Sequence, residues 1–416
     1  MGQQVLVVGG GVIGVTTAWA LVEAGHHVTL LERHAQWAQG ASQANGGQLS
    51  YRYVSPLADA GVPFKALKWL MDPDGPLQFR PEADRHQWQW LLRFLSKCRG
   101  SVNRSTTQRL LALGAYSKLA FGDLSLDLDP ESIALRSPGK LVVYRNAGEF
   151  LSVRSRLQPG GPEQALDRAA CVALEPALAT GAEQLAGGVF TPGEAVADCQ
   201  RVTQALAARL QRHPRFVGRL CAHVDRLGLR DGRTRGVHTD AGFVGADAVV
   251  LAAGLQSRAL AAPLGIDLPL YPLKGYSLTA PITAQHRPPE VSVTDFERKT
   301  LYARIGSELR VAAMVDLVGE NEAISPKRIA ALHRNVRSLF PFAADYDNAR
   351  PWAGLRPATP GGTPILGASP VPGLWLNVGH GALGFTFAFA SARIVAELVS
   401  GRTSPLPLDG LTLQAA

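Results

Sequence analysis

Gln4-Val5-Leu6-Val7-Val8-Gly9-Gly10-Gly11-Val12-Ile13-Gly14 opens the chain with an apolar run that turns on spaced glycines. The run up to Val8 reads as a buried parallel strand, and the Ala-rich stretch Val15 to Ala24 as the helix that follows it. Gly9 permits the tight turn, Gly11 lets the backbone approach a pyrophosphate, and Gly14 lets the helix pack closely on the strand. Phosphates would meet the unpaired amides of the first helical turn, around Val12 and Ile13, at the positive end of the helix dipole. Gly25 ends the helix, His27 to Leu31 makes a second strand, and the acid that closes it, Glu32, can accept hydrogen bonds from an adenosine ribose. Strand, helix, strand and acid in register point to a dinucleotide site.

Position favours a flavin over a nicotinamide. The unit stands at the N-terminus and is followed by Gly40-Ala41-Ser42-Gln43-Ala44-Asn45-Gly46-Gly47-Gln48-Leu49-Ser50, a small, polar run without hydrophobic period. Such a run suits a backbone wrapped around a flat polar ligand, and equally an ordinary surface loop. With the opening fingerprint, the Glu32-Arg33 pair and this Gly40 to Gly47 run, the chain resembles the D-amino-acid oxidase superfamily of FAD flavoproteins. It resembles the bacterial D-amino-acid dehydrogenases more closely, through Ala60 to Trp69, Asp198-Cys-Gln200, Tyr271-Pro-Leu-Lys-Gly-Tyr-Ser-Leu-Thr279, Trp352-Ala-Gly-Leu-Arg-Pro-Ala-Thr-Pro360 and Leu376-Asn-Val-Gly-His-Gly-Ala-Leu-Gly384.

The resemblance implies an α/β fold: a Rossmann-type FAD-binding domain with a discontinuous, mainly antiparallel-sheet substrate domain. The expected segments are 1–60, 163–262 and 350–416 for FAD binding, and 61–162 and 263–349 for the substrate domain. By the same resemblance FAD would be held by Gly9, Gly11, Val12, Ile13, Gly14, Glu32, Arg33, Ala41, Ser42, Asn45, Gly46, Gly47, Gln48 and Leu49. The later contacts expected are Val224, through its backbone to adenine, then Ala253, Gly254, Gly354, Gly379, His380, Gly381, Leu383, Gly384, Phe385 and Thr386.

Length and composition agree: 416 residues can bury a large core, and 46% hydrophobic with 18% charged residues is the balance of a globular protein. The net charge of +8 raises a nucleic-acid partner, but the arginines are scattered and no zinc or helix-turn-helix pattern occurs. An anionic surface or substrate is the better match for the charge. Cys98, Cys171, Cys199 and Cys221 form no C-x-x-C pair and read as free thiols in a reducing, cytoplasmic compartment. The first residues lack the basic region of a signal peptide, and no apolar run of membrane-spanning length is expected.

From Phe64 to Phe94 the chain gathers Phe64, Leu67, Trp69, Leu70, Met71, Trp88, Trp90 and Leu92 among Lys65, Lys68, Arg80, Arg85 and Arg93. Such a stretch can lie in a bilayer interface or pack as core. The resemblance implies a peripheral enzyme on the cytoplasmic face of the inner membrane, passing electrons to a quinone or another respiratory carrier. Further on, Asp198 caps a helix from Gln200 to Gln211, Phe216 to Leu227 reads as one strand, and Ala246 to Ala253 as a buried strand ending at Gly254. Strands follow at Tyr271 to Pro281, Val291 to Val293, Thr300 to Arg304 and Leu309 to Asp316, then a helix from Ser325 to Leu339. The segment after Trp375 leads from a strand into a helix from Phe387 to Ser400, whose start would face the flavin pyrimidine.

Five residues are the candidates for the chemistry. Arg356, expected in a loop braced by prolines, is placed by the resemblance on the amino-acid carboxylate, which a guanidinium fork matches in two bonds. Tyr302 and Tyr276 are expected to wall the substrate pocket. His380 is expected as a flavin-side contact and Lys274 as a structural or electrostatic group near the reduced ring. The implied activity is oxidative deamination of a D-amino acid by hydride transfer from Cα to flavin N5, with no strong base required. Related D-hydroxyproline dehydrogenases share the same blocks, giving a cyclic imine as the alternative product. A flavin-binding regulator without turnover is the reading from another class. Asp72 to Glu82 and Asn146 to Glu163 match the dehydrogenases poorly, which leaves the amino acid open.

Overall fold

The glycine turn sits at the centre of a six-stranded sheet in a computed structural model that describes residues 2–415. From one edge the strands run Ile365–Ala368, Leu374–Val378, Ala248–Leu251, Gln4–Val8, His27–Glu32 and Phe216–Cys221. All neighbours are parallel except the outermost pair. The apolar runs are continuous because both faces are covered. Val5 and Val7 pack against the helices Val12–Glu23, Cys199–Leu210 and Gly384–Val399. Leu6 and Val8 pack against a small antiparallel sheet of Val224–Arg230, Arg233–Thr239 and Gly242–Gly245.

The reading of Phe216 to Leu227 as one strand is corrected. The chain leaves the parallel sheet at Cys221, donates from the Ala222 amide to Glu32 O and from the His223 amide to Asp240 Oδ1, and enters the small sheet at Val224. The C-terminal helix is also longer and more apolar than expected: Gly381–Val399 has the length and hydropathy of a membrane span, with 67% of its most apolar window buried. It is a core helix, packed on Val12–Glu23 and on Gly100–Ser125.

A nine-stranded sheet lies beside this unit. Its order is Arg350–Ala358, Tyr271–Pro281, Glu308–Leu317, Thr300–Ile305, Ser292–Asp295, Lys140–Tyr144, Gly187–Thr191 and Gln164–Asp167, with Leu77–Phe79 paired to Glu308–Leu317. Most pairs are antiparallel. Gln164–Asp167, Gly187–Thr191 and Arg350–Ala358, expected in the FAD-binding segments, pair in this sheet. Arg356 accordingly stands in a strand, not a loop. Pro351 and Pro357 are tolerated because the strand is the sheet's edge, where a missing N–H costs no ladder bond.

The segment 64–94 divides. Trp90 is core: its Nε1 donates to Ala358 O at 2.9 Å, and its ring stacks on Phe94 at 5.4 Å and tilts against Tyr271 at 5.5 Å. The helix Val62–Met71, by contrast, buries none of its residues.

The tightest contact of the fold is at Gly14, where an added Cβ would lie 1.7 Å from the Gly9 carbonyl oxygen. Gly14→Ala must push the helix off the strand, and we expect a loss of about 2–3 kcal/mol, the range of overpacked cores. Urea unfolding followed by far-ultraviolet circular dichroism measures it.

Candidate active site

The glycine turn is built by sterics. Gly9 has φ +115°, and a Cβ there would meet the Ala252 carbonyl oxygen at 2.5 Å. The Gly10 amide donates to Glu32 Oε2 at 2.6 Å, and the His34 amide to Glu32 Oε1 at 2.9 Å. At Gly10, which the sequence reading passed over, a Cβ would lie 2.8 Å from the Glu32 side chain and would have to displace it. The Val12 amide donates to Ser42 Oγ at 3.0 Å, while the amides of Ile13 and Gly14 have no partner inside the helix. Beside the turn, Ala253 donates to Ser257 Oγ and Gly254 needs its positive φ of +58°. Val224 lies three residues beyond Cys221, which pairs with Glu32 at the strand tip. Arg33 is exposed, with Nε on His34. A cradle that no side chain could share, ending in free amides beside a carboxylate, fits a dinucleotide.

The run 40–52 is tied on every side. Ala44 O accepts from Ser277 Oγ at 2.7 Å, and Asn45 O accepts from Arg310 Nη1 at 2.7 Å. Asn45 Oδ1 accepts from the Gly47 amide, and Gly47 O accepts from the Ala197 amide. Gly46 and Gly47 are glycines because Leu301 and Ile305 fill the space a Cβ would take. Ala41 is exposed and Leu49 is buried in the helical core. Gln48 donates to Ser292 Oγ, and the Ser50 amide to Thr386 Oγ1 at 3.1 Å. The run is thus a clamped bridge whose small residues answer to the protein as well as to a ligand.

Side-chain alternation sorts the nine-stranded sheet into two faces. Arg356 pairs with Leu273, Gly354 with Gly275 and Trp352 with Ser277, so all share the face that Ser277 turns to residues 40–47. The Arg356 guanidinium lies over Gly275, where a Cβ would clash at 2.2 Å, and donates to Met314 O at 2.8 Å. Met314 has φ +72° and sits in a bulge opposite Gly275, which turns that carbonyl to the arginine. Burial draws the Arg356 guanidinium down to about 10, against the pull of Asp316, and it stays charged at neutral pH. Gly354 is glycine because the Trp352 indole covers it, with no flavin needed to explain it.

Tyr276 and Tyr302 are corrected. They project from the opposite face into the core formed with Leu332, Val336, Leu339 and Phe340 of and just after the helix Pro326–Leu339. Tyr302 is wholly buried, edge-on to Phe340 at 4.9 Å. Neither wall faces Arg356. Lys274 alternates with them, donates to Ala323 O and lies 5.2 Å from the Tyr276 ring, so it too is behind the sheet.

At the C-terminal helix, Gly379 and Gly381 adopt φ +80° and +55°, and Leu383, Gly384, Phe385 and Thr386 lead into the first turn. The His380 ring is buried and 3.1 Å from Ser391 Oγ, which donates to Ala388 O. Burial pushes the imidazole down to about 3, so it is neutral at physiological pH, with Nε2 engaged by Ser391 of the helix.

Residues the sequence reading missed include Arg310, paired with Asp198 at 3.5 Å, and the buried Lys140 and Glu194. Arg310 pairs with Thr279 and Ala303 on the face of Ser277, a register that no spacing in the sequence carries.

With this geometry in place, the family DAO, FAD dependent oxidoreductase, matches residues 4–398. The chain belongs to that family. It is 46% identical over 416 residues to D-amino acid dehydrogenase 2 of Pseudomonas aeruginosa, covering 100% of this chain and 99% of the relative. It is 45% identical to D-amino acid dehydrogenase 2 of Ralstonia nicotianae, covering 96% and 97%. Glycine oxidase from Geobacillus kaustophilus shares the fold, with a TM-score of 0.74 at 22% identity over 99% of this chain and 98% of that one. The protein is therefore an FAD-dependent oxidoreductase.

His380 generates a pH prediction. Its unfolded value of 6.5 exceeds the folded one, so below 6.5 the unfolded chain binds the extra proton and stability falls as pH falls. The loss approaches about 1.4 kcal/mol per pH unit from below 6 down to 4. His380→Gln should shed that part of the acid slope, read as the difference between urea midpoints of the two proteins at pH 4.5, 5.5 and 6.5.

Proposed function

We propose that the protein oxidises D-amino acids at FAD and hands the electrons to a respiratory acceptor such as a quinone. The observation that carries the substrate end is the Arg356 guanidinium lying on Gly275, on the face turned toward the clamped run 40–47. A planar carboxylate matches its fork, while the Met314 carbonyl fixes the fork's other side.

The residues that would hold the cofactor are Gly9 to Gly14 with Ser42 and Glu32 for the phosphates and ribose, Val224 for the adenine, Ala253 and Gly254, Asn45 to Leu49, and Gly379 to Thr386. FAD supplies, when bound, a two-electron acceptor for the hydride of the amino-acid Cα. Arg356 orients the carboxylate so that Cα is presented in one pose. No side chain on the Arg356 face is needed as a strong base, since the neutral amine drives the imine by its own lone pair. The full-length similarity to two D-amino acid dehydrogenases supports the D configuration.

Arg356→Lys leaves a point charge in place of the fork, and we expect the apparent KM for D-alanine to rise about 10- to 100-fold, the worth of a lost charge-assisted bond. Anaerobic mixing with D-alanine, watching the flavin band bleach, measures it. Unchanged kinetics would take Arg356 out of the substrate site.

For the acceptor side we propose that the helix Val62–Met71 meets the membrane surface. Phe64, Leu67 and Met71 are 79%, 66% and 85% exposed, and Lys68 stands beside them. Trp90 and its neighbours pack as core, which narrows the contact to this helix. Each apolar side chain transferred from water is worth about 1.5–3 kcal/mol. Phe64→Ser, Leu67→Ser and Met71→Ser combined should weaken sedimentation with phospholipid vesicles at least roughly tenfold, with turnover on a soluble dye unchanged. Equal sedimentation would remove the helix from any bilayer.

A further inference from the structure

Lys140 is the one buried ammonium of the described residues that stands beside the clamped run. It lies on Lys140–Tyr144, only 2% exposed, paired with Thr191 on one side and Ser292 on the other. Its Nζ donates to Gln48 Oε1 and to Ser50 Oγ at 3.1 Å, and lies 4.6 Å from the centre of the Tyr53 ring. No carboxylate closes a salt bridge with it among the described residues. Glu194, the nearest counter-charge acting on it, is occupied by the amides of Tyr51 at 2.7 Å and Arg52 at 3.0 Å. A charge taken out of water without an ion-pair partner is costly, and is found where a site uses it.

The position says what could use it. Ser50, which accepts from Lys140, donates its amide to Thr386 Oγ1, and Thr386 hydroxyl reaches the Gln48 carbonyl. The ammonium is thus two hydrogen bonds from the first turn of Gly384–Val399. Resting on the FAD reading above, we infer that Lys140 is a fixed positive charge for the reduced flavin, acting with the start of the C-terminal helix on the anionic ring. Hydride uptake brings two electrons and one proton, so the ring gains a negative charge that both groups favour. Gln48 would be the relay: its Nε2 is tied to Ser292 Oγ, and its Oε1 accepts from Lys140 and Ser50, so the lysine proton fixes which way the amide faces.

The titratable groups that face Lys140 are Glu194 and Tyr53, with Lys118 acting on Glu194 and Glu297 on Tyr53. Burial draws the ammonium down to about 7 against the opposing pull of Glu194, so its charge is lost as pH rises through neutrality. A unit charge on the order of 10 Å away, at an effective dielectric of about 20, changes an equilibrium constant roughly tenfold.

Sulfite, which adds to oxidised flavins and leaves the same negative charge on the ring, reads this without turnover. The FAD-loaded protein is titrated with sulfite at pH 6.0 to 8.5, following the flavin band and correcting for the sulfite dianion at each pH. The wild-type affinity should fall about tenfold across the range. Lys140→Met should bind weakly throughout with no slope, and Lys140→Arg tightly throughout with no slope. Lys140→Met with wild-type affinity and slope overturns the assignment. Should Lys140→Met retain no FAD, Lys140→Arg decides, and a wild-type slope in that variant overturns it equally. A wild-type protein that takes up no FAD would instead strike at the cofactor reading itself.

Discussion

The run from residue 40 to residue 52 is the constraint on which the rest of the structure depends. It has no core of its own, so its shape is set by the groups that hold it: Ser42 on the Val12 amide, Ser277 and Arg310 on its carbonyls, Thr386 on the Ser50 amide, and Glu194 on Tyr51 and Arg52. Those groups come from the glycine turn, the nine-stranded sheet, the C-terminal helix and the turn before Ala195. Their relative placement is fixed because one short backbone touches them all. A charge-assisted bond such as Arg310 to Asn45 O contributes roughly 1.5–3 kcal/mol, so several together outweigh the ordering of so few residues.

The clamp also explains why small residues gather there. A flat ligand and a sheet face both demand close approach, and the contacts of Gly46 with Leu301 and of Gly47 with Ile305 and Ala197 show the sheet's demand directly. Gly9, Gly10 and Gly14 answer to different neighbours: the Ala252 carbonyl of the adjacent strand, the Glu32 side chain, and the Gly9 carbonyl beneath the helix. Two steric requirements from different parts of the fold therefore meet in one early stretch of the chain.

The glycine turn was legible in the sequence because its causes are local: a turn, a close helix and an acid one strand away. Four strands of the nine-stranded sheet were legible as strands, with Tyr271 to Pro281 matched end to end, while Leu77–Phe79, Lys140–Tyr144, Gln164–Asp167, Gly187–Thr191 and Arg350–Ala358 were not. Which way each side chain points was not. The strand is buried along nearly its whole length, so no polar alternation marks a front and a back, and Tyr276 and Tyr302 were taken for pocket walls. Arg356 was read as a loop residue because prolines flank it, a rule that fails at a sheet edge. Trp90 and Phe64 look alike in sequence; only the docking of Trp90 on Ala358 separates core from surface.

Lys140 was illegible for a related reason. In Gly139-Lys-Leu-Val-Val-Tyr144 a lysine at the head of an apolar strand reads as a solvated end, and nothing local tells of Gln48, nearly a hundred positions earlier. Its burial follows from the clamp: once Ser50 is fixed to Thr386, the strand end that pairs with Ser292 is roofed by Gln48, Ser50 and Tyr53. The same bonds that shape the run thus strip water from the ammonium. Removing it leaves Gln48 Oε1 with Ser50 alone, while the ties of the run to Ser277, Arg310, Thr386 and Glu194 do not pass through the lysine.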